Sequence, residues 1–175
     1  NKTKDNKYLE VSEVLEYNPT KTKERAFKLA VELIAKEEGF KSTAYHDTEG
    51  YPTIGYGNKL SSIKYEPLSE YDGLLMTKDT ALGLMELKVW GITTGLEVCP
   101  HKYTYLRLSA ERQAVIISMT YQMGYAGVNG FVQMWEALDD GLFYLAAMEM
   151  MDSLWHEQTP ARALRASQIM ETGET

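Results

Sequence analysis

The sequence predicts an α+β protein in which a short β-rich segment lies between helices. In residues 43–60, Tyr, Thr and Ile alternate with Gly, and Glu49-Gly50 supplies a tight turn, which indicates an antiparallel hairpin or meander. Apolar residues recur at spacings of three and four from Thr20 onward and again from Thr77 onward. This spacing is typical of helices that bury one face.

Capping residues set the limits of the predicted helices. Thr20 or Thr22 begins the first helix, and Gly39 occupies the position where a left-handed residue ends it. Further helices are predicted over residues 78–96, 110–123, 130–140 and 142–155, and from Pro160 onward. Pro52 has no N–H to donate to a sheet, so we expect its strand at an edge.

The chain of 175 residues divides into a short extension and one main domain. Residues 1–19 are polar, with one helical stretch around residues 8–17, and are predicted to form an N-terminal extension. Residues 20–175 form the main domain, with a β-containing part over about residues 38–76 and a helical part over about residues 77–175.

Composition excludes several classes of protein. With 44% hydrophobic residues the chain can form a core, but it has no apolar run long enough to span a membrane. Its net charge of −7 argues against nucleic-acid binding, and its one cysteine, Cys99, excludes an internal disulfide framework. Three scattered histidines and the lack of a Gly-rich phosphate loop predict neither a metal nor a cofactor.

Two carboxylates near the predicted hairpin could carry out catalysis. Glu38 lies in the last turn of the first helix, where the negative end of the helix dipole disfavours an ionised carboxylate. Asp47 follows nine positions later, in a turn open to solvent, and Thr53 six positions after that. Carboxyls in such contrasting surroundings serve glycoside hydrolysis, but on spacing alone both could be ordinary solvated acids.

The residues around these carboxylates favour the catalytic interpretation. The pattern EGF…YHDTEG…TIGYG covers residues 38–57, followed by YQMG…GV.GF over 121–131 and WHEQTPAR over 155–162. In this order the three segments resemble the lysozyme (muramidase) family of tailed phages, and the resemblance covers about residues 28–173.

The resemblance implies a lysozyme-like fold, with a small sheet lobe, a larger helical lobe and a cleft between them. It implies hydrolysis of the β-1,4 bond between N-acetylmuramic acid and N-acetylglucosamine in peptidoglycan, with inversion and without a cofactor. Glu38 matches the general acid, Asp47 the carboxylate that supports the attacking water, and Thr53 a residue that helps to hold this water. Arg162 matches an arginine that pairs with the catalytic Glu. Positions at or near the family's saccharide-binding cleft are Glu49, Lys59, Ser118, Tyr121, Gln122, Met134 and Glu149.

The sequence also departs from the family pattern. Asn58 follows TIGYG where the family usually has His, and Leu154 replaces an arginine beside the cleft. We therefore expect changes in saccharide affinity more than in chemistry.

Three interpretations of function stay open from the sequence. A lysozyme could be an endolysin, made in the host cytoplasm, or a virion component, acting in either case on the wall in the periplasm. A protein partner could bind through the extension. The alternatives are a non-catalytic wall-binding or structural module of a phage tail, and a lytic transglycosylase, which needs only the Glu.

Overall fold

A computed structural model describes residues 19–175, so residues 1–18, which make up nearly all of the predicted extension, lie outside the described part. The chain there is mostly helical and carries one small antiparallel sheet. In chain order its elements are α1 (Pro19–Glu38), β1 (Lys41–His46), β2 (Pro52–Gly55), β3 (Asn58–Lys59), a 3₁₀ turn (Leu68–Tyr71), α2 (Lys78–Leu96), α3 (Lys102–Arg107), α4 (Ala110–Asn129), α5 (Val132–Asp139), α6 (Phe143–Met151), α7 (Leu154–Gln158) and α8 (Pro160–Thr172).

The first helix presents one buried face and ends beside the sheet. Ala26, Ala30 and Ile34 recur every four residues on α1, and all three are fully buried. Gly39 follows the helix, as predicted, and its N–H donates to the carbonyl of Ala35 at 3.2 Å. Glu38 is therefore the last helical residue, at the point where the chain turns into β1.

The three strands pair in the order β1-β2-β3, and both pairs are antiparallel. The expectation that Pro52 lies in an edge strand is wrong, because β2 is the central strand. Pro52 is the first residue of β2, where a missing N–H leaves the middle of the ladder intact. Its carbonyl still accepts from the N–H of Leu60 at 2.8 Å.

Helix α2 leads from the sheet lobe into the helical lobe. It begins where predicted, since the side chain of Thr77 accepts from the N–H of Thr80 at 3.1 Å. In the helical lobe, the central part of α4 is buried and packs against α1, α2 and α8. A small antiparallel sheet next to a larger helical lobe confirms the predicted α+β class. No helix between residues 19 and 175 is both long and apolar enough to cross a membrane.

The helical lobe differs from its prediction in three places. Helix α4 continues beyond Gly124 to Asn129, because Gly124 makes a kink with φ 78° and ψ 170° after which the helix resumes. The helix predicted over residues 142–155 is two helices, because Ser153 accepts from the N–H of His156 at 3.1 Å and starts a new one. Helix α3 was not predicted, since six residues are too few to show a period.

Candidate active site

Glu38 is held by an arginine from the far end of the chain. Nη1 of Arg162, on α8, donates to Oε1 of Glu38 at 2.9 Å, and their side chains are only 11% and 22% exposed, respectively. Nη2 of Arg162 also donates to the hydroxyl of Ser118 on α4 at 3.3 Å. The pair thus joins α1 to α8 and fixes one oxygen of the Glu38 carboxylate.

The other oxygen of this carboxylate lies against the backbone of Gly57. A Cβ atom on Gly57 would stand 2.9 Å from Oε2 of Glu38, closer than such contacts occur. Gly57 also has φ of +74°, a conformation that side-chain-bearing residues rarely adopt. Glycine at this position therefore lets the sheet lobe approach the end of α1.

Asp47 is fixed by the turn between β1 and β2. Its Oδ1 accepts from the N–H groups of Glu49 at 2.9 Å and Tyr51 at 2.8 Å. Its own N–H donates to the carbonyl of Tyr51 at 2.9 Å, and its carbonyl accepts from Gly50 at 3.0 Å. The turn orients the carboxylate through backbone contacts, and its described hydrogen bonds leave Oδ2 for other use.

Tyr45 connects the two carboxylates electrostatically. Burial raises the pKa of Tyr45 above its ordinary value, and the charges of Glu38 and Asp47 raise it further. In the sheet, Tyr45 on β1 pairs with Thr53 on β2, which pairs with Lys59 on β3. Thr53 is thus the partner of Tyr45 across the sheet, and the charges of Glu38 and Asp47 both act on this tyrosine.

The hydroxyl of Thr53 is already engaged. Thr53 is 1% exposed, and its Oγ1 donates to the carbonyl of Tyr51 at 2.8 Å. Its oxygen can still accept a hydrogen bond, so Thr53 could hold a water molecule only as the acceptor.

Residues of α2 and α4 form the helical side of the site. The hydroxyl of Tyr121 donates to the carbonyl of Tyr56 at 2.6 Å, and the ammonium of Lys88 lies 4.0 Å from the centre of the Tyr121 ring. Burial raises the pKa of Tyr121 well above its usual range, and the charge of Glu38 adds to this rise. Gln122 accepts from the indole N–H of Trp155 at 2.8 Å.

Comparison with known proteins identifies the family of this chain. A family profile described as phage lysozyme matches residues 35–165, a span that includes Glu38, Asp47, Thr53 and Arg162. The chain belongs to the phage lysozyme family. Its activity is accordingly that of a peptidoglycan hydrolase.

Relatives of this lysozyme come from a phage and from an amoeba. The chain is 32% identical to "Probable T4-type lysozyme 1" of Dictyostelium discoideum, in a match that covers 81% of this chain and 93% of that protein. It is 29% identical to "Pre-baseplate central spike protein Gp5" of Enterobacteria phage T4. This second match covers 81% of this chain but 27% of the spike protein.

The residues predicted to contact saccharide differ in how exposed their side chains are. Glu49 and Lys59 are exposed in the sheet lobe, 3.8 Å apart between Oε2 and Nζ. Ser118 and Tyr121 are buried, and Gln122 is partly buried, in contacts that support Arg162 and the sheet. Glu149 is partly exposed on α6, and none of its described contacts is with the Glu38 site.

Met134 does not fit its predicted saccharide contact. Its side chain is 0% exposed and belongs to the core cluster of the helical lobe. An unbranched apolar side chain fills gaps between packed helices, and this packing leaves the side chain of Met134 with no surface to offer a saccharide.

Sequence reasoning missed two side chains of this lysozyme site. Tyr45 was quoted within the motif but received no role, although the charges of both carboxylates act on its hydroxyl. Lys88 has a weak signal, because it is a cation between the apolar residues Leu87 and Val89 of α2. The charge of Glu38 acts on Lys88 as well.

The departure from the family pattern at Asn58 has a visible structural consequence. The buried Nδ2 of Asn58 has no hydrogen-bond partner among the described residues. This atom lies beside Gly55, where a Cβ would stand 3.1 Å from it.

Among residues 19–175, no group of three or more His, Cys, Asp and Glu side chains could hold a metal ion.

We predict that Gly57→Ala lowers hydrolysis of purified cell walls at least about tenfold, because the new methyl group displaces Oε2 of Glu38. Gly73→Ala is the matched control, since Gly73 has φ of +79° and no atom within 4 Å of its Cβ position. Both variants should lose about 1–2 kcal/mol of stability from backbone strain. Equal activities of the two folded variants would show that the contact with Glu38 is unimportant.

Proposed function

We propose that this lysozyme cleaves the β-1,4 bond between N-acetylmuramic acid and N-acetylglucosamine, with Glu38 as general acid and Asp47 as general base. The observation that carries the proposal is the placement of two carboxylates, one at the end of α1 and one in the turn after β1, whose charges both act on Tyr45. Glu38 is paired with Arg162, whereas Asp47 is held by two backbone N–H groups of a turn. Such a pair can divide acid and base roles between its members.

In the proposed reaction, Glu38 gives its proton to the glycosidic oxygen as the bond from this oxygen to the anomeric carbon breaks. A water molecule adds to the anomeric carbon and loses a proton to Asp47, so one water molecule is consumed for each bond cleaved. Arg162 holds Oε1 of Glu38, which leaves Oε2 as the oxygen that carries the transferred proton. Thr53 accepts a hydrogen bond from the attacking water.

A direct test of these roles replaces one glutamate at a time. Glu38→Gln keeps the shape of the side chain but cannot donate the proton, so clearing of purified walls should fall by at least about a hundredfold. The neighbouring Glu37→Gln is the matched control, because Glu37 lies on the same helix but its carboxylate accepts from Arg165 instead of Arg162. Near-normal activity of folded Glu38→Gln would remove Glu38 from the proposed mechanism.

Inversion is the stereochemical part of the proposal. Among the described hydrogen bonds and ion pairs, none joins Glu38 to Asp47 directly, which is compatible with a water molecule between them. Inverting enzymes keep their carboxyls about 6.5–9.5 Å apart for this water. Proton NMR in the first minutes of digestion of soluble glycan should therefore show the α-anomer of the new reducing end. Initial release of the β-anomer would point to a covalent intermediate instead.

The digestion products also separate the alternative functions. Mass spectrometry of digested sacculi should find reducing N-acetylmuramic acid at the cleaved ends. An anhydro-muramic product would indicate a lytic transglycosylase, and undigested sacculi that still bind the folded chain would indicate a wall-binding module.

The biological setting is a second part of the proposal. Similarity to a phage spike protein supports a virion-associated lysozyme that acts on the wall in the periplasm. The N-terminal extension, residues 1–19, is then the segment that we propose for contact with another virion protein. Similarity to "Probable T4-type lysozyme 1", which the chain matches over 93% of that protein's length, supports an independent lysozyme such as an endolysin. Presence of the chain in purified virions would favour the first setting.

A further inference from the structure

Exposed apolar side chains follow one another along α2, on a face that the site does not use. Leu84, Leu87 and Trp90 recur every three residues on this helix and are 39%, 72% and 46% exposed, respectively. Together with Phe27 of α1, whose ring meets that of Trp90 edge-on at 5.6 Å, they line an open groove of about 550 Å³. We call these four residues the apolar strip. A contiguous apolar surface of this kind is typical of a site on which another segment packs.

The residues before α1 have the pattern of a helix with two different faces. Residues 8–17 read YLEVSEVLEY, in which apolar and acidic residues separate at 3.6 residues per turn. The apolar face consists of Tyr8, Val11, Val14 and Leu15. The acidic face consists of Glu10, Glu13 and Glu16, with Leu9 among them. A short amphipathic helix is stable only when its apolar face packs against another surface, so this segment requires one.

The start of α1 lies beside the end of α2. The ammonium of Lys23 is 2.9 Å from Oε1 of Glu97, the residue that follows α2, and 4.7 Å from the centre of the Trp90 ring. Phe27, four positions later on α1, also meets Trp90. The first half of α1 therefore runs alongside the second half of α2, in the opposite direction.

The length of the segment matches the distance that it has to cover. Helix α1 begins at Pro19, and the residue before a proline avoids helical backbone angles, so a helix over residues 8–17 cannot run straight into α1. Phe27 lies eight positions after Pro19, which is about 12 Å along α1, and a helix of ten residues is about 15 Å long. A helix that turns back at Asn18 and follows α1 thus reaches Phe27 and Trp90.

Charge also favours this direction. Residues 19–28, the first half of α1, carry four Lys or Arg residues and one Glu, which gives a net charge of +3. Residues 8–17 carry three Glu and no Lys or Arg, which gives −3. Opposite charges attract, so the segment is drawn towards α1 and the neighbouring apolar strip.

We propose that residues 8–17 bind as a helix along the apolar strip, so that the chain covers its own exposed apolar surface. The segment is joined directly to α1, and this short connection gives it a high effective concentration at any dilution, which a second copy of the chain does not have. The acidic face then stays in solvent. Contact of the extension with another virion protein would use this face and residues 1–7. The inference does not depend on the proposed hydrolysis.

Tryptophan fluorescence tests this contact in the full chain. Trp135 and Trp155 are only 2% and 7% exposed, so Trp90 is the tryptophan that acrylamide can quench when the apolar strip is uncovered. Leu15→Asp puts a charge into the apolar face and should release the segment, which raises the Stern–Volmer quenching constant at least about twofold over the parent chain. Trp90→Phe in the Leu15→Asp chain should remove this increase.

Leu9→Asp is the matched control, because it makes the same change in the same segment but on the acidic face. It should leave the quenching constant of the parent chain unchanged. Circular dichroism checks that each variant is folded, and Val11→Asp, on the apolar face, replaces Leu15→Asp if that variant does not fold. Equal quenching in the parent chain and Leu15→Asp, or an equal rise in Leu9→Asp, would overturn the inference.

The oligomeric state separates the chain's own segment from a second copy as the occupant. Light scattering of the parent chain should give the mass of one chain, with the same quenching constant at low and high protein concentration. A dimer that Leu87→Asp dissociates and Leu15→Asp leaves intact would overturn the inference, because a second copy would then cover the apolar strip.

Discussion

The ion pair between Glu38 and Arg162 is the contact on which the site depends. It joins the last residue of the first helix to the last helix of the chain, 124 positions away. Folding must therefore bring α1, α4 and α8 together before Glu38 has a fixed direction. The ion pairs of Arg107 with Asp139 and of Lys59 with Glu49 are exposed at both partners and contribute little to stability. The Glu38 pair is mostly shielded, so losing one partner leaves a poorly solvated charge.

The two proposed catalytic carboxylates are held by different kinds of structure. Glu38 needs tertiary contacts from distant helices, whereas Asp47 needs only its own turn, in which backbone N–H groups fix Oδ1. Gly57 links these parts, because its missing side chain lets the sheet lobe meet the end of α1. The sheet lobe therefore holds Asp47 and also contacts Glu38 through Gly57. Lys88 and Arg162 contribute cations from the helical side.

Local sequence signals predicted much of this structure. The α+β class, the limits of α2 and the end of α1 follow from caps and periods that a few neighbouring residues determine. The family resemblance identified the pairing of Arg162 with Glu38, which the structure confirms. Roles for Glu38, Asp47 and Thr53 in catalysis stay predictions that experiments on variants must test.

Contacts between distant elements determine the features that the sequence did not predict. The central position of the strand that contains Pro52 was not predicted, because its neighbour β3 has only two residues and shows no sequence pattern. Met134 is in the core because α5 turns it inward, a direction that sequence similarity alone did not reveal. The place of Lys88 over Tyr121 depends on how α2 packs against α4, which no local pattern encodes. Predictions failed where packing between elements decides a side chain's surroundings.

The most direct test of this account is a double-mutant cycle on the ion pair between Glu38 and Arg162. The free energy of unfolding is measured by denaturant titration for the parent, Glu38→Gln, Arg162→Met and the double variant. If the pair organises the site, the coupling energy should be about 1–3 kcal/mol in favour of the intact pair. Additive effects, with a coupling near zero, would contradict the claim that this contact holds the site together.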